Sequence, residues 1–144
     1  SCCMKRITLI LLIMPFNVYS QKKSENRDIV FISAPSNLGL MKMAYADKLG
    51  PGVRKMASVL DEFKFCERLA IEQRILLKVP GYSGKIDRQS GVRNHDRIIK
   101  FTKKLASVVT EQIEKGKFPI VSGGDCSILL GSALAMKMLK GKYG

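Results

Sequence analysis

A chain of 144 residues in which 46% are hydrophobic has material for one globular core, and its composition is not that of a disordered chain. Its 25 Lys and Arg against 12 Asp and Glu give a formal charge of +13, which invites a nucleic-acid partner. The basic residues are spread over every segment, interleaved aromatics are few and no nucleic-acid motif is present, so nucleic acid is not expected as a partner.

Met4-Lys5-Arg6, the apolar run Ile7 to Phe16 and the small residues Val18 and Ser20 have the layout of a secretory signal cleaved before Gln21. The run is too short to span a bilayer, which needs about twenty residues. Residues 1–20 are therefore expected to be a signal peptide with upstream residues, and residues 21–27 a flexible lead-in. A secreted or periplasmic location follows, or a cytoplasmic one if the leader is an artefact. No stable membrane anchor is expected after cleavage, since no cysteine stands at the cleavage point. Cys66 and Cys126 then remain. Cys66 is expected to be a buried free thiol and not to pair with Cys126.

Asp28 to Ile32 is apolar without alternation, as in a central parallel strand covered on both faces. Pro35, Asn37 and Gly39 break it into a loop. Pro51 suits a first helical turn, and Val53, Met56, Ala57, Leu60 and Phe63 recur at helical spacing, predicting a core-facing stripe through about Phe65. From Cys66 to Leu77 two readings stay open: a continuing helix, or a turn and then a strand around Arg74 to Val79. Residues 81–91 read as a surface loop. Asn94 is a plausible N-cap for a helix running to Lys115, with Ile98, Phe101, Leu105, Val108, Val109 and Ile113 on one face and Gly116 closing it. His95, the single histidine, is expected to be solvated or capping, because metal sites need clustered ligands.

Phe118 to Val121 reads as a second buried parallel strand. Gly123-Gly124 follows as a sharp turn, and a helix opening at Asp125 or Ser127 carries Ile128, Leu129, Ala133, Ala135, Met136 and Leu139. Ligands of open α/β sheets collect at the carboxyl ends of strands, so Asp125 and Cys126 stand where chemistry is expected. Asp125 reads first as a helix cap, a role compatible with that of a supporting partner.

The run Pro119-Ile120-Val121-Ser122-Gly123-Gly124-Asp125-Cys126-Ser127 with Leu130-Gly131-Ser132 resembles the Gly-Gly-Asp-His-Ser segment of the arginase/agmatinase (ureohydrolase) family. Ile32 to Gly39 is similar to that family's first strand and loop, and Gly50-Pro51-Gly52-Val53-Arg54 to the segment opening its first helix. The pieces come in the family's order and cover residues 28–144. The resemblance implies a three-layer α/β/α fold with a parallel sheet, of which this chain is the amino-terminal part, incomplete because it stops about halfway. It implies a binuclear manganese hydrolase of a guanidino or amidine C–N bond, homo-oligomeric at full length, with a small guanidino or amidine substrate. A guanidinium is a poor electrophile, and two divalent metals can lower the pKa of a bridging water enough to supply hydroxide.

By the same resemblance Ser36 and Asn37 would lie at the substrate rim; the plainer role for Asn37 is to cap its own turn. Cys126 stands where the family has a histidine metal ligand. Manganese is hard and favours carboxylate and imidazole, whereas a thiolate is soft. Three readings therefore stay open: an altered site, a site with one metal, or a ligand lost in a degenerate, non-catalytic member. No catalytic residue is expected in this chain, and the 144-residue piece is expected to be inactive and poorly soluble.

Overall fold

The computed structural model describes residues 28–41 and 52–143. The expected leader, the lead-in and Pro51 lie outside the described residues. No described helix is long and apolar enough to cross a membrane. Three strands, β1 (Ile29–Ala34), β2 (Gln73–Leu76) and β3 (Phe118–Gly123), form a parallel sheet in the order β2-β1-β3. Helices α1 (Met56–Glu62), preceded by a 3-10 turn at Gly52–Lys55, and α2 (Phe65–Arg68) lie between β1 and β2. Helix α3 (His95–Glu114) joins β2 to β3, and α4 (Ile128–Tyr143) follows β3. This is the expected α/β arrangement.

Strand β1 is buried on both faces, which explains why its sequence does not alternate. Val30, Ile32 and Ala34 point to the α3/α4 side, where they join Leu38, Leu77, Phe101, Leu105, Ala106, Val109 and Ala135 in the main core. Phe31 points the other way and packs with Cys66 and Ile71. Its ring lies 5.8 Å from that of Phe65 in a tilted arrangement. Cys66 is a buried free thiol, as expected, and Cys126 is also free.

Three expectations change. Strand β3 is one of the two outer strands of the described sheet; it is half-buried and Phe118 is exposed, unlike a strand covered on both faces. The predicted stripe on α1 is only partly used: Ala57 and Leu60 pack against the Phe31 cluster, whereas Val53, Met56 and Phe63 are 37%, 46% and 65% exposed. The reason is a break at Lys64, whose left-handed backbone (φ 54°) ends the helix after seven residues, too few to lay the whole stripe on the sheet. Between Cys66 and Leu77 both open readings hold in part: the chain makes the short α2, turns at a left-handed Ala70 (φ 51°), and then enters β2.

A left-handed conformation costs a residue with a Cβ about 1–2 kcal/mol that glycine does not incur. Replacing the exposed Lys64 or Ala70 by glycine is expected to raise stability by about 1 kcal/mol, or to leave it no lower, in urea titrations. Loss of stability in both variants would show that the side chains contribute more than the strain.

Helix α3 presents the predicted face: Phe101, Leu105 and Val109 are buried, and Ile98, Val108 and Ile113 pack around them. Gly116 ends it with φ +75°, its N–H bonded to the Ile113 carbonyl and that of Lys117 to Gln112.

Candidate functional site at the carboxyl edge of the sheet

Parallel strands put all their carboxyl ends on one edge, and the loops leaving β1 and β3 meet there. Register pairs Ala34 of β1 with Gly123 of β3. The two glycines of the β3 turn are needed for space, since neither has a positive φ. A Cβ at Gly123 would lie 2.9 Å from the Ala34 carbonyl oxygen. At Gly124 it would run into the Ser36 carbonyl oxygen and lie 2.9 Å from the Val53 backbone. The turn is therefore wedged between the β1 loop and the 3-10 turn before α1.

Asp125 is buried (8% exposed) and its carboxylate is fully engaged. Oδ1 accepts the Ser127 N–H at 2.8 Å and the Ser127 hydroxyl, and Oδ2 accepts the Gly39 N–H at 2.9 Å. The first contact caps the turn entering α4, as expected, and the second fastens it to the β1 loop. Ser36 and Asn37, the candidate rim residues, are both buried. The Ser36 hydroxyl is 2.9 Å from that of Ser127 and 3.3 Å from the Leu38 N–H. Cys126 is exposed beside this buried network.

Asn94 stands at the N-cap position of α3, as expected, but not through its side chain. It starts α3 with a left-handed backbone (φ 55°) and makes no side-chain cap. Its side chain turns toward the loops instead: Oδ1 accepts from the Ser83 N–H, the Ser83 hydroxyl and the Gly84 N–H, each at 3.0 Å, and Nδ2 donates to the Leu38 carbonyl at 2.8 Å. Asparagine is the residue type that tolerates the left-handed region and offers both donor and acceptor. That pairing of properties was the one signal in the sequence for this role.

Among the described residues no group of three or more His, Cys, Asp or Glu could hold a metal ion. His95 sits with Asp96, 3.2 Å from its Nδ1, in a polar hollow that Ser83, Lys85, Asp87 and Arg97 also line. Asp125 has given both oxygens to protein donors, and the buried atom without a partner at the strand ends, Ser33 Oγ, is a hydroxyl. One exposed soft thiol and one carboxylate whose two oxygens already accept from protein donors do not make a manganese site. The described residues do not fit the metal that the resemblance implies.

Among the described residues, the loop before α3 carries the one titration shift with a clear cause. The Ser90 N–H, the Ser90 hydroxyl and the Gln89 N–H donate to Asp87, in that neighbourhood His95 adds a favourable charge, and the carboxyl is held below its ordinary 3.8. A carboxyl depressed on folding stabilises the fold above the ordinary value, and the contribution is lost as pH falls through the lowered one. An NMR titration is expected to place the Asp87 midpoint below 3.8, and Ser90→Ala to move it up. A midpoint unchanged by Ser90→Ala would contradict the assignment.

No protein-family profile matches the chain. Curated relatives do. The arginase of Staphylococcus aureus (strain COL) is 34% identical over 115 residues, a match taking in 78% of this chain and 37% of that protein. The arginase of Bacillus caldovelox is 30% identical over 109 residues, 74% of this chain and 35% of that protein. Among solved structures, an arginase from Bacillus subtilis subsp. subtilis str. 168 superposes with a TM-score of 0.57 at 28% identity over 78% of this chain and 35% of that one. The Bacillus caldovelox arginase superposes with a TM-score of 0.56 at 26% identity, over 78% and 37%. The chain thus spans 37% or less of the length of these curated relatives.

Proposed function

Because this chain carries an arginase-family segment along 78% of its length, we propose that the protein it belongs to is a ureohydrolase-type hydrolase of a C–N bond in a small guanidino or amidine substrate. The observation that supports this reading most is the carboxyl edge of the sheet. The Gly-Gly-Asp turn and the β1 loop are locked together there, and both belong to the segments that resemble the family. In this reading the chain contributes one wall of the substrate cleft, with Ser36 and Asn37 supporting it from beneath. Their burial suits a role in shaping the rim better than direct contact with substrate.

Manganese, which activates water for such a hydrolysis when bound, would have to be held mainly by residues other than those described. Acidic and imidazole side chains suit that metal. Cys126, at the position where the resemblance expects a histidine ligand, favours a second reading: a degenerate relative that keeps the fold and does no chemistry. Export by the leader and assembly as a homo-oligomer belong to the same proposal.

The 144-residue chain supplied with manganese is expected to release no urea from arginine or agmatine, and release above the blank would overturn this. A chimera decides between the two readings. The matched stretch of this chain replaces its counterpart in the Staphylococcus aureus arginase, once as it stands and once with Cys126→His. Urea from the histidine form, with manganese affinity at least about tenfold weaker in the cysteine form, supports the hydrolase ancestry and the loss at 126. Equal rates would remove Cys126 from the metal site. A folded, inactive histidine form would overturn the hydrolase reading.

A further inference from the structure

The loops that follow β2 and β3 both fasten to one short segment of the β1 loop, Ser36 to Gly39. From the β3 side, Asp125 accepts the Gly39 N–H at 2.9 Å, and the Ser127 and Ser36 hydroxyls share a hydrogen bond of 2.9 Å. From the β2 side, Asn94 donates to the Leu38 carbonyl at 2.8 Å while holding Ser83 and Gly84 with its other end. Tyr82 adds a bond from its hydroxyl to the Leu40 carbonyl at 2.8 Å. Ser36, Asn94 and Asp125 are 0%, 3% and 8% exposed. The Asn94–Leu38 bond is buried and therefore expensive to open, since breaking it leaves a donor and an acceptor without water to replace the partner; the bonds of Asp125 and Ser36 are partly buried.

Consecutive residues of the segment are thus gripped from opposite sides. Asn94 reaches across 56 residues of sequence and Asp125 across 86. Both anchors are rigid: Asn94 begins the 20-residue α3, and Asp125 stands between β3 and α4. The Leu38 carbonyl and the Gly39 N–H belong to one peptide unit, so the segment has no slack to leave one anchor and stay on the other.

We propose that the three loops form a single cooperative rim, with Ser36 to Gly39 as its shared middle and Asn94 as its clasp. This goes beyond the hydrolase reading and does not depend on it.

Native-state amide hydrogen exchange on the 144-residue chain tests the proposal. The Gly39, Ser83, Gly84 and Ser127 amides are expected to exchange through one common opening. Asp125→Asn is expected to speed all four by about tenfold, the loss of roughly one hydrogen bond, while the Leu105 and Val109 amides of α3 keep their rates. Asn94→Asp retains an acceptor for Ser83 and Gly84 but cannot donate to Leu38, and it is expected to speed exchange at Gly39 and Ser127. If Asp125→Asn also exposes the α3 amides, Ser36→Ala, which removes one hydroxyl, is read in its place. Faster exchange at Gly39 and Ser127 with Ser83 and Gly84 unchanged would mean separate turns and overturn the proposal.

Discussion

Replacing Gly124 by alanine is expected to cost about 3 kcal/mol and to lower the urea midpoint accordingly, at the upper end of what overpacking does. The added methyl would meet the Ser36 carbonyl oxygen and the Val53 backbone. Neither is the free end of a flexible side chain, so relief requires backbone to move. Two attachments oppose that movement: Ser36 is tied to Ser127 through its hydroxyl, and its own N–H is bonded to the Ala34 carbonyl at 2.6 Å. Stabilities of whole domains run to about 5–15 kcal/mol, so this one methyl removes a large share. Gly52, where an added Cβ would meet nothing within 4 Å, is the control: Gly52→Ala is expected to change stability by less than about 0.5 kcal/mol. Equal losses at the two positions would show that Gly124 is not wedged as described.

The second large effect lies where α3 packs on α4. Leu105 is fully buried, and a Cβ at Gly131 would sit 2.8 Å from its Cβ, Cγ and Cδ2 atoms. Leu105→Ala is expected to cost about 3 kcal/mol through lost burial and the cavity left behind. Gly131→Ala alone is expected to cost about 2 kcal/mol by overpacking. The double variant puts the new methyl into the space the leucine vacates, so its loss should fall short of the sum by about 1 kcal/mol or more. Strict additivity in a double-mutant cycle would show that the helices do not approach each other through this pair. The glycine's purpose is close approach, and the same holds at Gly124, although one lies inside a helix and the other in a turn.

The candidate site was legible in its location and much less so in its wiring. Gly123-Gly124-Asp125 after an apolar strand pointed to the carboxyl edge of a sheet, and the structure puts that turn there. The reason for the glycines was not legible: an unusual backbone angle and a close neighbour look the same in a sequence, and here the neighbour is decisive. Asn94 was read from its place before a helical pattern, where a cap is the ordinary role. Its left-handed backbone instead turns the amide toward Leu38, a residue from another loop. The stripe from Val53 to Phe63 had helical spacing, yet spacing does not reveal that Lys64 ends the helix and leaves Met56 and Phe63 in solvent.

What the amino-acid order determined by itself is what short-range physics controls. The apolar run of β1 made it a covered parallel strand, the 3.6-residue period from Ile98 to Ile113 made α3, and Gly116 closed that helix with the positive φ it alone adopts cheaply. Only the tertiary structure decided that Asp125 meets Gly39 and that Ser36 meets Ser127, across 86 and 91 residues. Those meetings follow from the parallel register of β1 with β3, which brings two strand ends together however much chain lies between them. Burial then makes each such polar contact costly to break, so the edge of the sheet is held by pairs that no local pattern announces.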